Sequence, residues 1–218
     1  MPNKLNNLKP ILDTIRKELR DKDEIRETAQ KQMRTMQSYS KQAILLIHQK
    51  RTKEAETLLK KAQKIHTKLD QTSAAYPSII YGGLYSAALQ EYSEANIFQT
   101  LVQENQFITP EKINVPPTDY ILGLADVIGE YRRLALDALR VGNAEKGEKN
   151  LQTMDEIYTE LMAMDESYML VPGLRRKCDV ARKIIEITRG DVTQEIRRNA
   201  LEKHLRRFET IHKRKNQT

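Results

Sequence analysis

Apolar residues along this chain recur at helical spacing and nowhere alternate for long. Ile25, Ala29, Gln32, Met33, Met36, Tyr39, Ala43, Leu46 and Ile47 fall on one stripe, the three-and-four repeat of a helix with one buried face. Prolines supply the punctuation. After Pro10 come Pro77, Pro110, Pro116, Pro117 and Pro172, and the proline-free stretches between them read as helices and helical hairpins. Seven helices are predicted, at about 3–20, 22–51, 52–72, 78–105, 118–141, 144–166 and 174–214, the last broken near Gly190. Arg51-Thr52, Val141-Gly142-Asn143 and Ser167 to Gly173 read as short turns between antiparallel neighbours. Gln106 to Pro117 is the longest loop, and Thr118 is placed to cap the helix that follows. With no internal repeat and no low-complexity linker, the expectation is one all-α domain over 1–218. Residues from about 209 to 218 are expected as a flexible basic tail.

The fourth predicted helix carries acids where its apolar stripe should continue. Ile80, Leu84 and Ala87 lead to Phe98 and Leu101, and the positions between are Glu91 and Glu94. A spacing of three puts these carboxylates on one face, one turn apart. A carboxylate facing a core is costly unless paired or bound to a metal. The fifth helix offers Asp126 and Glu130, four apart, bordering the stripe Ile121, Leu124, Val127, Ile128, Tyr131 and Leu134. Gly123 and Gly129 leave room there for another helix or a ligand. Spacing alone favours a wet face for this second pair, with Glu130 bridging to Arg133. Two antiparallel helices can nonetheless bring four carboxylates to one point, and hard oxygen ligands suit Mg²⁺ or Mn²⁺. Buried structural acids remain the other reading.

Composition narrows the setting. No apolar run reaches the roughly 18 residues of a membrane span, and mean hydropathy is −0.66. The single cysteine, Cys178, rules out an internal disulfide and fits a reducing, cytoplasmic interior. Net charge is +7, unevenly spread. From Leu174 to Lys215 there are 14 Lys and Arg against 6 Asp and Glu, a balance of +8, which leaves the remainder near −1. A polyanion such as a phosphate backbone is the partner this suggests, although a solvated helix face has the same composition. Arg175, Arg176, Arg182, Arg189, Arg197 and Arg198 are the candidate phosphate contacts, and Tyr92 is a candidate for base stacking or for the core.

Other chemistries find no support. His48, His66, His204 and His212 have no E-x-x-H or H-E-x-x-H partner, which argues against a ferritin-like di-iron site. There is no Walker A loop, no G-x-G-x-x-G and no nucleophile elbow. Cys178, between Lys177 and Asp179, reads as a packing residue.

Two stretches carry a resemblance. Leu89-Gln90-Glu91-Tyr92-Ser93-Glu94-Ala95 with Phe98-Gln99 resembles the acidic motif of translin-associated protein X. Pro117-Thr118-Asp119-Tyr120-Ile121-Leu122-Gly123-Leu124-Ala125-Asp126 with Gly129-Glu130 is similar to its second motif. Weaker likenesses lie in Ser40 to His48 and in Arg189-Gly190. The chain therefore resembles the translin superfamily. That resemblance implies a seven-helix α-bundle whose subunits close into a hollow, football-shaped oligomer, an octamer in the family. It also implies Mg²⁺-dependent endoribonuclease activity on the inner wall. The catalytic, metal-holding carboxylates carry over onto Glu91, Glu94 and Asp126, with Glu130 as the fourth.

The chain departs from translin-associated protein X in lacking its long polar insertion between the two motifs. It also lacks translin's His-rich aromatic segment. A compact member forming a homo-oligomer without a separate translin subunit fits both departures. The expected activity is hydrolysis of single-stranded RNA by water activated at Mg²⁺ or Mn²⁺, with single-stranded DNA as a further binding partner. The alternatives are a translin-like nucleic-acid-binding protein without catalysis, and an all-α nucleoside triphosphate pyrophosphohydrolase.

Overall fold

A computed structural model of the protein describes residues 8–164 and 168–215, with side chains as far as residue 212. Every element among the described residues is a helix: α1 (Leu8–His48), α2 (Thr52–Ala75), α3 (Pro77–Ile80), α4 (Gly83–Glu104), α5 (Pro110–Ile113), α6 (Pro117–Arg140), α7 (Ala144–Ala163) and α8 (Leu174–Lys215). The chain is all-α, as its periodicity predicts. It divides into two compact units, residues 1–115 and 116–218.

In the first unit α1 packs along both α2 and α4, and α2 also touches α4. Small side chains permit the close approach. Ala29, Ala43, Ala55, Ala62, Ala88 and Ala95 are buried beside Met33, Met36, Leu69 and Phe98. Ser40 of α1 and Ser93 of α4 are fully buried, and each hydroxyl donates to the carbonyl one turn back, Met36 O at 3.0 Å and Leu89 O at 2.8 Å, so neither is left unsatisfied. His66 of α2 ties down the chain after α4. Its Nε2 donates to the Asn114 carbonyl (2.6 Å), and its Nδ1 lies 3.0 Å from the Tyr85 hydroxyl.

In the second unit α6, α7 and α8 pack pairwise. The core is Val127, Ile128, Tyr131 and Ala135 against Leu151, Met154, Ile157 and Leu161, closed by Leu174, Cys178, Ala181, Ile185 and Val192. Gly147 lets α7 approach α6, since a Cβ there would stand 2.6 Å from Leu139 Cδ2. Asn143 caps α7 by accepting the Lys146 amide at 3.0 Å, after Gly142 turns the chain at φ +74°, a conformation glycine adopts without strain. Burial pushes the Cys178 thiol up, in keeping with a packing role.

Several expected boundaries move. The helices at 3–20 and 22–51 are one, α1, from residue 8 to 48; neither glycine nor proline stands between them, and a polar surface alone does not stop a helix. The predicted residues 3–7 lie outside the described ones. The helix at 78–105 is two, because Tyr81 and Gly82 are extended between α3 and α4. The loop Gln106 to Pro117 contains α5. α6 starts at Pro117, with Pro116 rather than Thr118 at its cap position, because proline is pre-set for the first helical residue. α8 runs through Gly190 unbroken, held on either side by buried Thr188 and Val192. Residues 209–215 continue that helix, and 165–167 and 216–218 lie outside the described residues.

Phe98 is fully buried on α4, its ring 5.0 Å from that of His48 on α1. Phe98→Ala is expected to destabilise the protein by about 3–5 kcal/mol, read as a fall in the urea midpoint.

Candidate functional site

Glu91 and Glu94 project from the middle of α4, one turn apart. α4 is buried more widely than a single stripe predicts, with Tyr92, Ser93, Glu94, Ala95, Ile97, Phe98 and Gln99 all inaccessible. Packing against both α1 and α2 is the reason. Glu94 is therefore inside, at 8% exposure. Glu91 stands at the edge, half-buried, and accepts an ion pair from the Lys41 ammonium of α1 at 3.2 Å. Lys41 follows buried Ser40, so the packing of α1 against α4 is what delivers that ammonium.

In the second unit Asp126 and Glu130 are both half-buried on α6. The Lys177 ammonium, from the first turn of α8, donates to Asp126 Oδ2. Gly129 beside them is exposed, with open space where a Cβ would be. Within either unit, among the described residues, no three His, Cys, Asp or Glu side chains converge as metal ligands do. Each unit holds its own pair of oxygen donors. Hard oxygen donors suit a Mg²⁺-type ion in chemistry, but two carboxylates, one of them already paired with an ammonium, make only part of a coordination shell. Lys41 and Lys177 escape a reading of the sequence, because each comes from another helix and no spacing links it to its acid.

The six arginines divide. At about 100° per residue, Arg175, Arg182, Arg189 and Arg197 share one side of α8, but Asp179 and Glu186 stand in the same row. All six are exposed. Arg189 is committed to Asp155 of α7, at 2.7 and 2.8 Å, and Arg198 lies between Glu195 (3.5 Å) and Glu202 (3.6 Å). The charge excess is concentrated beyond them: residues 197–215 hold 8 Lys and Arg against 2 Glu. Leu201, Leu205, Phe208 and Ile211 are exposed along the same stretch. Tyr92 is 1% exposed, its ring 5.8 Å from that of His66. It is a core residue, which removes it as a base-stacking platform.

The all-helical frame is one that the comparisons with known proteins also find. The translin family model matches residues 24–186. The chain belongs to the translin family. A curated relative, an uncharacterised protein of Methanocaldococcus jannaschii, is 32% identical over 194 residues, covering 88% of this chain and 85% of that protein. Among solved structures, AfC3PO is similar with a TM-score of 0.75 at 36% identity, over 84% of this chain and 96% of that one. A structure of AfC3PO with duplex RNA superposes at 0.74, also at 36% identity, over 84% and 95% of the two chains. Apo-NeC3PO, at 23% identity, shares the fold with a TM-score of 0.75 over 89% and 98%. Both acidic motifs lie inside the matched translin region. No helix among the described residues is long and apolar enough to cross a membrane.

Burial also sets two tyrosines apart in this translin-family chain. Desolvation pushes Tyr92 up from 10.0 to about 12; burial, with Glu156 nearby, pushes Tyr131 up to about 12. A pKa raised on folding contributes stability in full below pH 10 and loses it as pH rises to about 12. The urea midpoint should fall over that window, and less steeply in Tyr92→Phe. Equal slopes in the two proteins would mean that the Tyr92 hydroxyl is solvated.

Proposed function

We propose that this protein is a metal-dependent endoribonuclease that assembles into a hollow oligomer and cleaves single-stranded RNA inside it. The observation that carries the reading is the placement of Glu94, a carboxylate taken into the interior of α4 beside Glu91, within the matched translin region. An acid held there costs stability unless something cationic compensates it. A solved relative named as a complex with duplex RNA supports RNA as the polymer.

Glu91 and Glu94, with Asp126 and Glu130, are the residues that would hold Mg²⁺ or Mn²⁺. Such an ion, when bound, polarises a phosphoryl oxygen and makes hydroxide available near neutral pH. The chain's own residues do the rest. α1 and α2 fix the α4 pair by packing, and α8 fixes the α6 pair through Lys177. The basic residues from Arg197 onward attract the phosphate backbone, with Arg175, Arg176 and Arg182 as further contacts. Arg189, paired with Asp155, serves first to join α7 to α8.

Assembly has its own support. Leu8, Ile11, Leu12, Ile15 and Leu19 are all exposed, and helical spacing puts them on the face of α1 that further along buries Ala29, Met33 and Met36. An apolar stripe of this length is covered in a stable protein, and a second copy is the available cover. A translin-like RNA-binding protein without catalysis is the competing reading, favoured by the lysines that already neutralise Glu91 and Asp126. Translin-family membership leaves the pyrophosphohydrolase alternative without support.

Three measurements test this. Cleavage of single-stranded RNA should require Mg²⁺, stop with EDTA and vanish in Glu94→Gln, while folding and RNA binding persist. If Glu94 is instead a structural partner of a buried cation, Glu94→Gln retains any cleavage and loses about 3–5 kcal/mol of stability. RNA affinity should fall steeply with salt, and less steeply after Arg197→Glu and Arg198→Glu. Light scattering should find a closed oligomer, an octamer by likeness to the family, which Ile15→Glu splits; a stable wild-type monomer would remove the cavity mechanism.

A further inference from the structure

A second polar feature lies on α4, away from the acids. Asn96, Gln99 and Gln103 recur at helical spacing below Tyr92 and form one stripe. At about 100° per residue its centre lies roughly 140° round the helix from Glu91 and Glu94. The stripe meets α2 and α5 across a hollow of about 360 Å³, all of whose lining belongs to the first unit. Buried Leu59 and Ile113 give the hollow an apolar floor. Gln63 of α2 adds a further amide to its wall. At the edge stand Lys60 and Lys112 with Glu56 and Glu104, cations and anions in equal number, and Lys60 is already paired with Glu56. Such a rim has no excess charge with which to hold a free phosphate or a metal ion. We propose that this hollow is a binding site for an adenine base. The inference stands apart from the metal reading given above, since none of these residues belongs to an acid pair.

Gln99 carries the argument. It is 8% exposed, yet among the described residues its Oε1 is buried without a partner. Its Nε2 reaches Gln103 Oε1 only at 3.4 Å, a long and weak bond. A buried amide oxygen left unpaired is an exception in a folded protein. Gln103 is exposed and free to turn aside, and rotation about the soft terminal torsion of Gln99 re-aims its amide. Both ends of that amide can then serve a ligand that offers a donor beside an acceptor. The N6 amino group and N7 of adenine are such a pair, and a glutamine amide meets them with two hydrogen bonds. Asn96 is fixed by its Nδ2 on the Tyr92 carbonyl at 2.7 Å, so it forms wall rather than reader. A few placed polar groups over an apolar floor are what a small-ligand pocket requires, and the volume is at the small end of such pockets, suited to one base with its sugar.

A free nucleoside and an unstacked base within a strand present the same edge. Equilibrium dialysis of the full chain with adenosine, and separately with a short single-stranded oligoadenylate at high salt, where phosphate contacts are screened, distinguishes them. Binding of adenosine identifies a nucleoside site; binding of the oligoadenylate alone identifies a base within a strand. In either case Gln99→Leu and Gln103→Ala should each weaken binding about 10-fold, while the control Gln71→Ala, on α2 outside the hollow, should bind as wild type does. Gln103→Ala changes an exposed position and keeps the test valid if Gln99→Leu fails to fold. Binding of neither probe, or binding that both variants leave unchanged, would overturn the proposal. Uridine bound as tightly as adenosine would overturn it too. Cleavage is not the readout, so each result holds whether or not the protein is a nuclease.

Discussion

One apolar stripe along α1 governs the first unit. It runs on one face from Leu8 to Ile47, but α2 and α4 cover it only from about Ala29 onward. Over the covered half, alanine, serine and methionine let two helices come close enough to bury the middle of α4 on more than one side. That close approach takes Glu94 inside and sets Lys41 against Glu91. Over the uncovered half the same face presents Leu8, Ile11, Leu12, Ile15 and Leu19 to solvent, at one end of a helix about 60 Å long. The acid pair and the exposed stripe are thus two ends of one packing pattern.

The second unit repeats the division on α8. Its buried face, Leu174, Cys178, Ala181, Ile185, Thr188 and Val192, packs against α6 and α7. Beyond that the helix continues with basic and apolar residues exposed together. Arginines on the packed half are partly balanced by Asp179, Glu186 and Asp155, while the excess charge lies on the projecting half. The positive potential is strongest along that half, where the side chains are exposed.

The acids are where stability and function oppose each other. Glu94 is a carboxylate taken inside where α4's apolar stripe runs, and burying a carboxylate costs stability. Lysines on Glu91 and Asp126 reduce the cost without removing it, since exposed or half-exposed pairs contribute little. Retaining carboxylates on two helices at such cost is understandable if oxygen ligands are what the site requires.

The sequence by itself determined the class, since a 3.6-residue period admits only helices, and it placed Glu91 and Glu94 together, since one turn of one helix does that without help. The motifs around them also led to the translin family. It did not determine helix ends at Tyr81-Gly82, the continuity of α1 through residue 20, or the passage of α8 through Gly190. The passage through Gly190 depends on Thr188 and Val192 being buried on either side of it; α1 runs on through residue 20, though exposed there, because nothing in it breaks a helix. Nor could it separate core from surface on α4 or supply Lys41 and Lys177. Burial on several sides and ion pairs between helices arise only when distant segments pack, and no local spacing encodes which lysine will face which carboxylate.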